Sequence, residues 1–286
     1  DSSGHQFIPH FSYAKRINDD WVAGIALHSP GGLGVEYSNG LTGGPLAIVD
    51  TNKITMMNLT TSAAYQVTDK LSLGGSIIAQ YAAMEVSALE NSAKPLLAEG
   101  SNVAPTFAVA ANYALSATTY FGLKYQHSTK HTVELDSPLP GVESMGLNWP
   151  SSIDFGVKQA LSDNFALMAN VSWQSWSDYD DKYSDTYSTG IALEYQVAKW
   201  TYRMGTSIDT SPLTAEDRDV VLPLDKQWRF GFGAERRLDN GSAISFAYQY
   251  QDLGDAEISP AAANIIQPLG HYSTNRIHFF SMSYHF

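Results

Sequence analysis

The stretch FALMANVSWQSW, residues 165–176, decides which fold this sequence can adopt. Apolar side chains occupy its odd positions from Phe165 to Trp173, and polar side chains such as Asn170 and Ser172 lie between them. Successive side chains of a strand point to opposite faces, so a period of two predicts a β-strand with one apolar face. The same period recurs at residues 71–81, 200–204, 228–232 and 244–250, and helical periodicity is nearly absent. An all-β protein is therefore expected.

The spacing of the turns distinguishes between two all-β architectures, a soluble β-sandwich and a transmembrane barrel. The predicted strands cover residues 6–16, 21–29, 52–66, 71–84, 104–115, 118–128, 151–161, 165–176, 186–197, 199–208, 226–237, 242–251 and 274–286. Short polar turns lie near residues 17–20, 68–70, 116–118, 162–164, 198–199 and 238–242, and longer loops near 30–52, 84–103, 129–150, 176–186, 209–225 and 252–273. Nothing in the structure of a soluble β-sandwich requires short turns and long loops to alternate along the chain. A bacterial outer-membrane barrel does show this alternation, because its periplasmic turns are short and its extracellular loops are long.

The predicted fold is therefore a transmembrane antiparallel β-barrel that forms a single domain over residues 1–286. Its strands have about the length that a tilted crossing of the hydrocarbon layer needs. Thirteen strands are an odd count, whereas such barrels are usually even-numbered. Because the aromatic C-terminal stretch FFSMSYHF looks intact, the missing strand is expected at the N-terminus, where DSS suggests a processed or truncated start.

Composition excludes several other functions. A net charge of −12 argues against nucleic acid as a partner, since phosphate binding needs concentrated Lys and Arg. The chain has no cysteine for a disulfide framework or a thiolate metal site. His127 and His131 are four residues apart, a spacing that does not converge on a strand, and no Ser–His–Asp arrangement stands out. We expect no cofactor, no metal and no enzymatic activity.

Several blocks resemble a known family. Three of these blocks are INDDWVAGIALHSPGGLGVEYSNG, NLTTSAAYQVTDKLSLGGSIIAQY and SSIDFGVKQALSDNFALMANVSWQSWSDY. They are similar to strand pairs of the FadL/TodX-type outer-membrane transporters of long-chain fatty acids and other hydrophobic compounds. LEYQVAKWTYRMGTSIDTSPL adds the family pattern carried by Arg203, Gly205, Ser211 and Pro212. The resemblance implies a fourteen-stranded barrel in the bacterial outer membrane, with a hatch and a first strand that have no counterpart here.

The resemblance also implies a mechanism of passive uptake. Extracellular loops capture the ligand, and a kink in the third strand releases it sideways into the membrane. Pro30, Gly31, Gly32 and Gly34 fall on that strand and are the predicted lateral gate. Proline removes a ladder donor and glycine weakens a strand, so a gap is physically reasonable there. The alternative is a turn that opens an extracellular loop, since Pro-Gly-Gly is a common turn signal.

Two apolar loops are candidates for ligand capture, because contiguous exposed apolar residues mark interaction sites. The first, residues 85–103, carries Leu89, Leu96 and Leu97, and the second, residues 133–150, carries Leu139, Met145 and Trp149. The expected partners are hydrophobic small molecules such as fatty acids, outer-membrane lipid and lipopolysaccharide, and a monomer is expected.

Charged side chains are predicted on the lumen face at Lys124, Asp154, Lys158, Glu194, Arg203, Arg229 and Glu235. Arg203 and Arg229 are candidates to bind a carboxylate head group, which arginine does in bidentate fashion. The alternative is that these charges pair with one another. A receptor barrel, a structural barrel or a general open pore therefore stays open as an alternative function.

Overall fold

The computed structural model describes residues 5–37, 50–88, 96–136, 144–218, 220, 222–258 and 270–286. These ranges contain β1 (Phe11–Arg16), β2 (Trp21–His28), β3 (Gly32–Glu36), β4 (Thr51–Gln66), β5 (Leu71–Ala88), β6 (Leu96–Ala114), β7 (Thr119–Gln126), β8 (Thr129–Glu134), β9 (Ser144–Trp149), β10 (Ser152–Ala160), β11 (Phe165–Gln174), β12 (Thr186–Val197), β13 (Trp200–Asp209), β14 (Gln227–Arg237), β15 (Ala243–Asp252) and β16 (Arg276–His285). One 3-10 turn follows β11, at Trp176–Asp178. In this part of the chain, no helix is both long enough and apolar enough to span a bilayer.

Fourteen strands form one antiparallel sheet whose order follows the chain, and β8 and β9 form a separate two-stranded sheet. The order is β1-β2-β4-β5-β6-β7-β10-β11-β12-β13-β14-β15-β16, and the fourteenth strand, β3, pairs with β4 beside β2. The thirteen strands predicted from the sequence are the thirteen of this order. Their main difference lies in β5 and β6, which extend through much of the loop expected at 84–103.

Side-chain oxygens close the tight turns at one end of the sheet, which we call the short-turn end. Asn18 Oδ1 accepts the backbone N–H groups of the residues two and three positions later, at 3.0 and 2.9 Å. The hydroxyl oxygens of Thr68, Ser116 and Ser162 accept the corresponding pairs in their own turns. This local hydrogen bonding is why Asn, Ser and Thr favour turns. It confirms four of the short turns that the sequence predicts.

The two faces of the sheet differ in polarity. Apolar side chains on the outward face are well exposed, for example Ile77 at 73% and Met282 at 69%. Buried polar residues such as Gln80 and Glu194 lie on the opposite face. This is the inverse of a soluble protein and is typical of a barrel with lipid outside and a polar interior.

Contacts between long loops show that the sheet curls. Tyr37, which follows β3, donates a hydrogen bond from its hydroxyl to the Val220 carbonyl at 2.7 Å. The same hydroxyl lies 2.6 Å from that of Tyr272. Val220 belongs to the β13–β14 connection and Tyr272 to the β15–β16 connection, so elements near opposite ends of the sheet order meet.

The β8–β9 hairpin packs against the inner face of the sheet, where the sequence predicted a loop. Val133 and Leu147 from the hairpin join Met56, Ala82 and Met84 from β4 and β5 in one buried apolar cluster. At Gly100 of β6, a side chain would collide with the Glu134 carbonyl, so glycine permits this close approach. The hairpin therefore fills the interior at the long-loop end of β4, β5 and β6.

Candidate functional site

The wall strand formed by β2 and β3 is interrupted. His28 at the end of β2 pairs with Asn58 of β4, and Gly32 at the start of β3 pairs with Thr55 of the same strand. Residues 29–31 therefore lie opposite only residues 56–57. One extra residue in a strand leaves the ladder locally unpaired and bends the strand. We call residues 29–31 the wall break.

The four predicted gate residues lie in or beside the wall break. Pro30 and Gly31 lie within the break, and Gly32 and Gly34 lie in β3, which continues along β4. All four predicted gate residues are thus in the line of the wall. The 3-residue Ser29–Gly31 segment is tightened by a hydrogen bond from Ser29 Oγ to the Gly31 carbonyl at 2.9 Å.

The break lies near the outer border of the apolar band. β2 contributes 8 residues before it, close to the roughly 9–11 that a tilted strand needs to cross the hydrocarbon layer. Apolar side chains that face outward lie next to the break. Leu27 is 37% exposed, Leu59 is 47% exposed and Tyr81 is 40% exposed. Among the residues described, β3 pairs in a ladder on one edge only, with β4. The break therefore has apolar surface on its outer side.

Trp149 covers the break from the inside. A Cβ atom built on Gly31 would lie 2.6 Å from Trp149 Cη2, so glycine is required for the indole to rest there. The Trp149 ring meets that of Trp176 edge-on, with centroids 5.7 Å apart. Tyr179 and Tyr183 extend this aromatic group in the β11–β12 loop. Two separately predicted features, the gate glycines and an apolar loop tryptophan, thus meet at one place.

The other predicted ligand-binding residues are dispersed. Leu97 lies in β6 and is 46% exposed, and Met145 in β9 is 44% exposed. Leu89 and Leu139 lie outside the described residues, and Leu96 is described only through its backbone in β6. Their role in ligand binding stays a prediction.

The lumen charges form ion pairs. Glu194 accepts hydrogen bonds from Lys158 Nζ at 2.8 Å and Arg203 Nε at 2.7 Å, and Arg203 also lies 3.5 Å from Glu235. Arg229 pairs with Asp209 at 2.9 Å, a partner that the sequence placed in a loop. Such pairing offsets the cost of burying each charge. The geometry accordingly gives Arg203 and Arg229 intramolecular partners, and a ligand would have to compete with them.

A buried polar chain beside the break has no counterpart in the sequence-based prediction. Gln80 Nε2 donates to Asn58 Oδ1 at 2.9 Å, and Gln80 Oε1 lies 3.1 Å from His131 Nε2. The other ring nitrogen, Nδ1, lies 3.0 Å from Asn102 Oδ1. Burial lowers the pKa of His131 below its usual range, because the charged ring would lose its solvation. Asn58 and Gln80 face each other across the β4–β5 ladder, and the inward-folded hairpin adds His131.

An apolar outer face, a polar interior and tight turns at one end define the class: a β-barrel of the bacterial outer membrane. The short-turn end is the periplasmic end, and the long loops are extracellular. Within that class, the profile of the family described as outer membrane protein transport protein (OMPP1/FadL/TodX) matches residues 1–286. The chain belongs to this family.

The descriptions of individual relatives agree with that of the family. The long-chain fatty acid transport protein of Salmonella typhi is 21% identical over 306 residues, which cover 85% of this chain and 69% of that protein. The corresponding protein of Escherichia coli K12 is 19% identical over 314 residues, with coverages of 85% and 70%.

Two solved structures share the fold. A FadL homologue from Pseudomonas aeruginosa superposes with a TM-score of 0.83 at 19% identity, covering 97% of this chain and 77% of that one. The toluene transporter TodX of Pseudomonas putida gives 0.69 at 17% identity, covering 99% and 83%. At these identities the likeness concerns the fold alone.

Proposed function

We propose that this protein is a passive channel that takes hydrophobic molecules across the outer membrane and releases them sideways through the wall break. The main supporting observation is that the ladder along β4 is interrupted where β2 ends and β3 begins. This interruption leaves residues 29–31 opposite only two residues of β4. Family relatives named as transporters of long-chain fatty acids and of toluene make apolar small molecules the fitting substrate class.

The polarity of the lumen supports a sideways exit. The ion pairs of Lys158, Glu194, Arg203 and Glu235 lie on β10 to β14, a few residues from the periplasmic turns. An apolar ligand gains nothing by leaving lipid-like surroundings for such a charged wall. The break instead borders outward Leu27 and Leu59. Release into the bilayer is the favoured direction for an apolar molecule.

Capture by the extracellular loops is the first step in this proposal. Exposed Met145 and Leu97 offer apolar surface at the long-loop end, and Trp149 connects that region to the break. Because the Trp149 ring rests on Gly31, its displacement is the motion that would open the break. Contact with lipopolysaccharide and a monomeric state complete the proposal.

The test compares uptake of a labelled fatty acid and labelled toluene by cells that express the protein or a variant. The variant Gly31→Val, Gly32→Val and Gly34→Val places side chains against the Trp149 ring and the Ile54 carbonyl. We expect at least a tenfold loss of uptake. Gly75→Val is the matched control, because nothing lies within 4 Å of a Cβ there.

Equal uptake by the wild type and the triple variant would contradict release through the break. Uptake no higher than in cells without the protein would instead favour a receptor or structural barrel. Equal passage of small polar solutes and apolar ones would indicate a general open pore.

A further inference from the structure

A groove crosses the outward face of the sheet from β12 to β16. Its volume is about 750 Å³, within the roughly 300–1,000 Å³ of ordinary ligand sites. Among the described residues that line it, only Arg203 is charged. The side chain of Arg203 faces the lumen, where it pairs with Glu194, so the groove itself is apolar. We call this feature the outward groove.

Aromatic side chains form the wall of the outward groove that lies farther from the periplasmic turns. Phe232 of β14, Tyr248 of β15 and Phe280 of β16 are successive register partners. The ring centroids of Phe232 and Tyr248 are 5.5 Å apart, and those of Tyr248 and Phe280 are 5.1 Å apart. This wall is therefore closed along three strands.

The opposite wall, nearer the periplasmic turns, has a gap at Ala234. Its register partners are Tyr202 on β13 and Phe246 on β15, both exposed aromatic residues. A single methyl group between two rings leaves an opening there. Gly233 and Ala247 lie between the two walls, and they present their backbone to the groove because alternate side chains point to opposite faces. The result is a slot wide enough for a chain, with one opening toward the periplasmic end.

Arg236 lies at that opening. It follows Ala234 by two residues on the same face of β14, and it is exposed near the periplasmic turn. Its guanidinium carbon is 5.6 Å from the centre of the Trp200 ring, on the first residue of β13. Tryptophan favours the membrane interface, so this cation lies at the depth of lipid head groups.

No acidic side chain neutralises Arg236 within the part of the chain that the structure describes. The neighbouring cation, Lys199, is already paired with Asp239. Arginine binds phosphate oxygens in bidentate fashion, and basic side chains at a membrane surface attract anionic lipid head groups. The charge and the apolar slot together match a molecule with an anionic phosphate and a long apolar chain.

We propose that the outward groove and Arg236 form a binding site for one anionic phospholipid of the periplasmic leaflet. Arg236 binds the phosphate, and one acyl chain passes Ala234 and lies in the groove. A lipid with a quaternary ammonium in its head group binds more weakly, because that cation competes with Arg236 for the phosphate. The inference depends on the barrel class and is independent of the transport proposal.

The experiment titrates the purified protein in dodecyl maltoside micelles with dioleoyl phosphatidylglycerol or dioleoyl phosphatidylcholine and counts bound lipid by native mass spectrometry. We expect one saturable phosphatidylglycerol, bound about tenfold more tightly than phosphatidylcholine. Arg236→Gln should abolish this preference. Inorganic phosphate, which has no acyl chain, should not displace the lipid.

Ala234→Phe closes the gap in the wall while keeping every charge. It should weaken the binding of both lipids several-fold and leave the preference for phosphatidylglycerol intact. The matched controls are Arg237→Gln, the next residue on the opposite face, and Ala63→Phe, the same change on the outward face of β4. Both should bind lipid as the wild type does. The compact electrophoretic mobility of each variant shows that it has folded.

Three results would overturn the site. The first is equal binding of the two lipids by the wild type, and the second is an undiminished preference in Arg236→Gln. The third is unchanged lipid binding in Ala234→Phe. A lipid-free dimer that Ala234→Phe dissociates would also overturn it, since a second copy of the chain would then occupy this face.

Discussion

At the scale of single residues, glycine is needed where another part of the chain must approach the wall. Gly31 gives room to the Trp149 indole, and Gly34, three residues later, has only Gln6 Oε1 at 3.8 Å from a built Cβ. The two glycines look alike in the sequence. They differ in their surroundings, because the Trp149 ring packs against Gly31 and no bulky side chain packs against Gly34.

Gly31→Ala should lower the free energy of unfolding by about 1–3 kcal/mol, because the new methyl group forces the Trp149 ring to shift. In a Trp149→Ala background the same substitution should cost much less, which a double-mutant cycle of denaturant unfolding measures. Gly34→Ala serves as the control and should be close to neutral in both backgrounds. Equal costs of Gly31→Ala with and without the indole would contradict the contact.

At the scale of elements, the β8–β9 hairpin links the extracellular side to the wall break. It buries Val133 and Leu147 in the apolar cluster and ends at Trp149. His131 makes polar contacts with the wall, through Gln80 and Asn102. The position of the hairpin therefore determines whether the break is covered.

Docking of the hairpin should weaken as the pH falls below about 6.5, the ordinary pKa of histidine. Burial lowers the pKa of His131 in the docked hairpin, so the undocked state binds the proton more readily. Stability from docking is complete above the ordinary pKa and is lost as the pH falls toward the lowered one. Gln80 and Asn102, which contact the ring, do not titrate.

A fluorophore on a Lys130→Cys variant measures this docking without interference, because the chain has no cysteine of its own. Its emission should change with pH between about 7 and 5 in the otherwise unaltered protein. In a His131→Gln background the response should be flat. A response of equal size in both backgrounds would assign the titration to another group.

At the scale of the whole molecule, the ends of the sheet meet through the loops. The Tyr37 hydroxyl joins the region after β3 to Val220 and Tyr272, which lie close to the other end of the strand order. Arg218, which is 2% exposed, ties the same loop region together through carbonyls of Leu213, Leu224 and Glu257. These contacts connect the described parts of the loops that follow β3, β13 and β15.

Tyr37→Phe should reduce stability by about 1–2 kcal/mol, since it removes the hydroxyl that serves both contacts. The measurement is the temperature at which the folded barrel loses its compact electrophoretic mobility. Tyr65→Phe is the control, because Tyr65 is 38% exposed on the outward face near the periplasmic turn. An equal shift in the two variants would show that Tyr37 does not join the sheet ends.

Local rules account for the part of the fold that the sequence predicted. Strand alternation depends on neighbours two residues apart, and turn closure at Asn18 or Ser162 depends on neighbours two and three residues apart. Both are visible in a linear chain. The structure also shows lumen charges in ion pairs, the alternative that the sequence left open, because charges on one face of adjacent strands lie within reach of one another.

The rest of the site depends on long-range contacts. Residues 144–149 read as a loop because their apolar pattern is short, and they form β9 only by pairing with β8. Gly31 and Trp149 are far apart in the chain, as are Gln80 and His131. No local pattern specifies that such residues meet.

The sequence by itself determined the strand period, the tight turns and the barrel class. These follow from steric and hydrogen-bonding preferences over a few residues. Only the tertiary structure decided that the break falls in the line of the wall, that Trp149 covers it and that Asn58 Nδ2 beside it has no partner among the residues described. Those features arise because the curled sheet brings a distant hairpin against its own inner face.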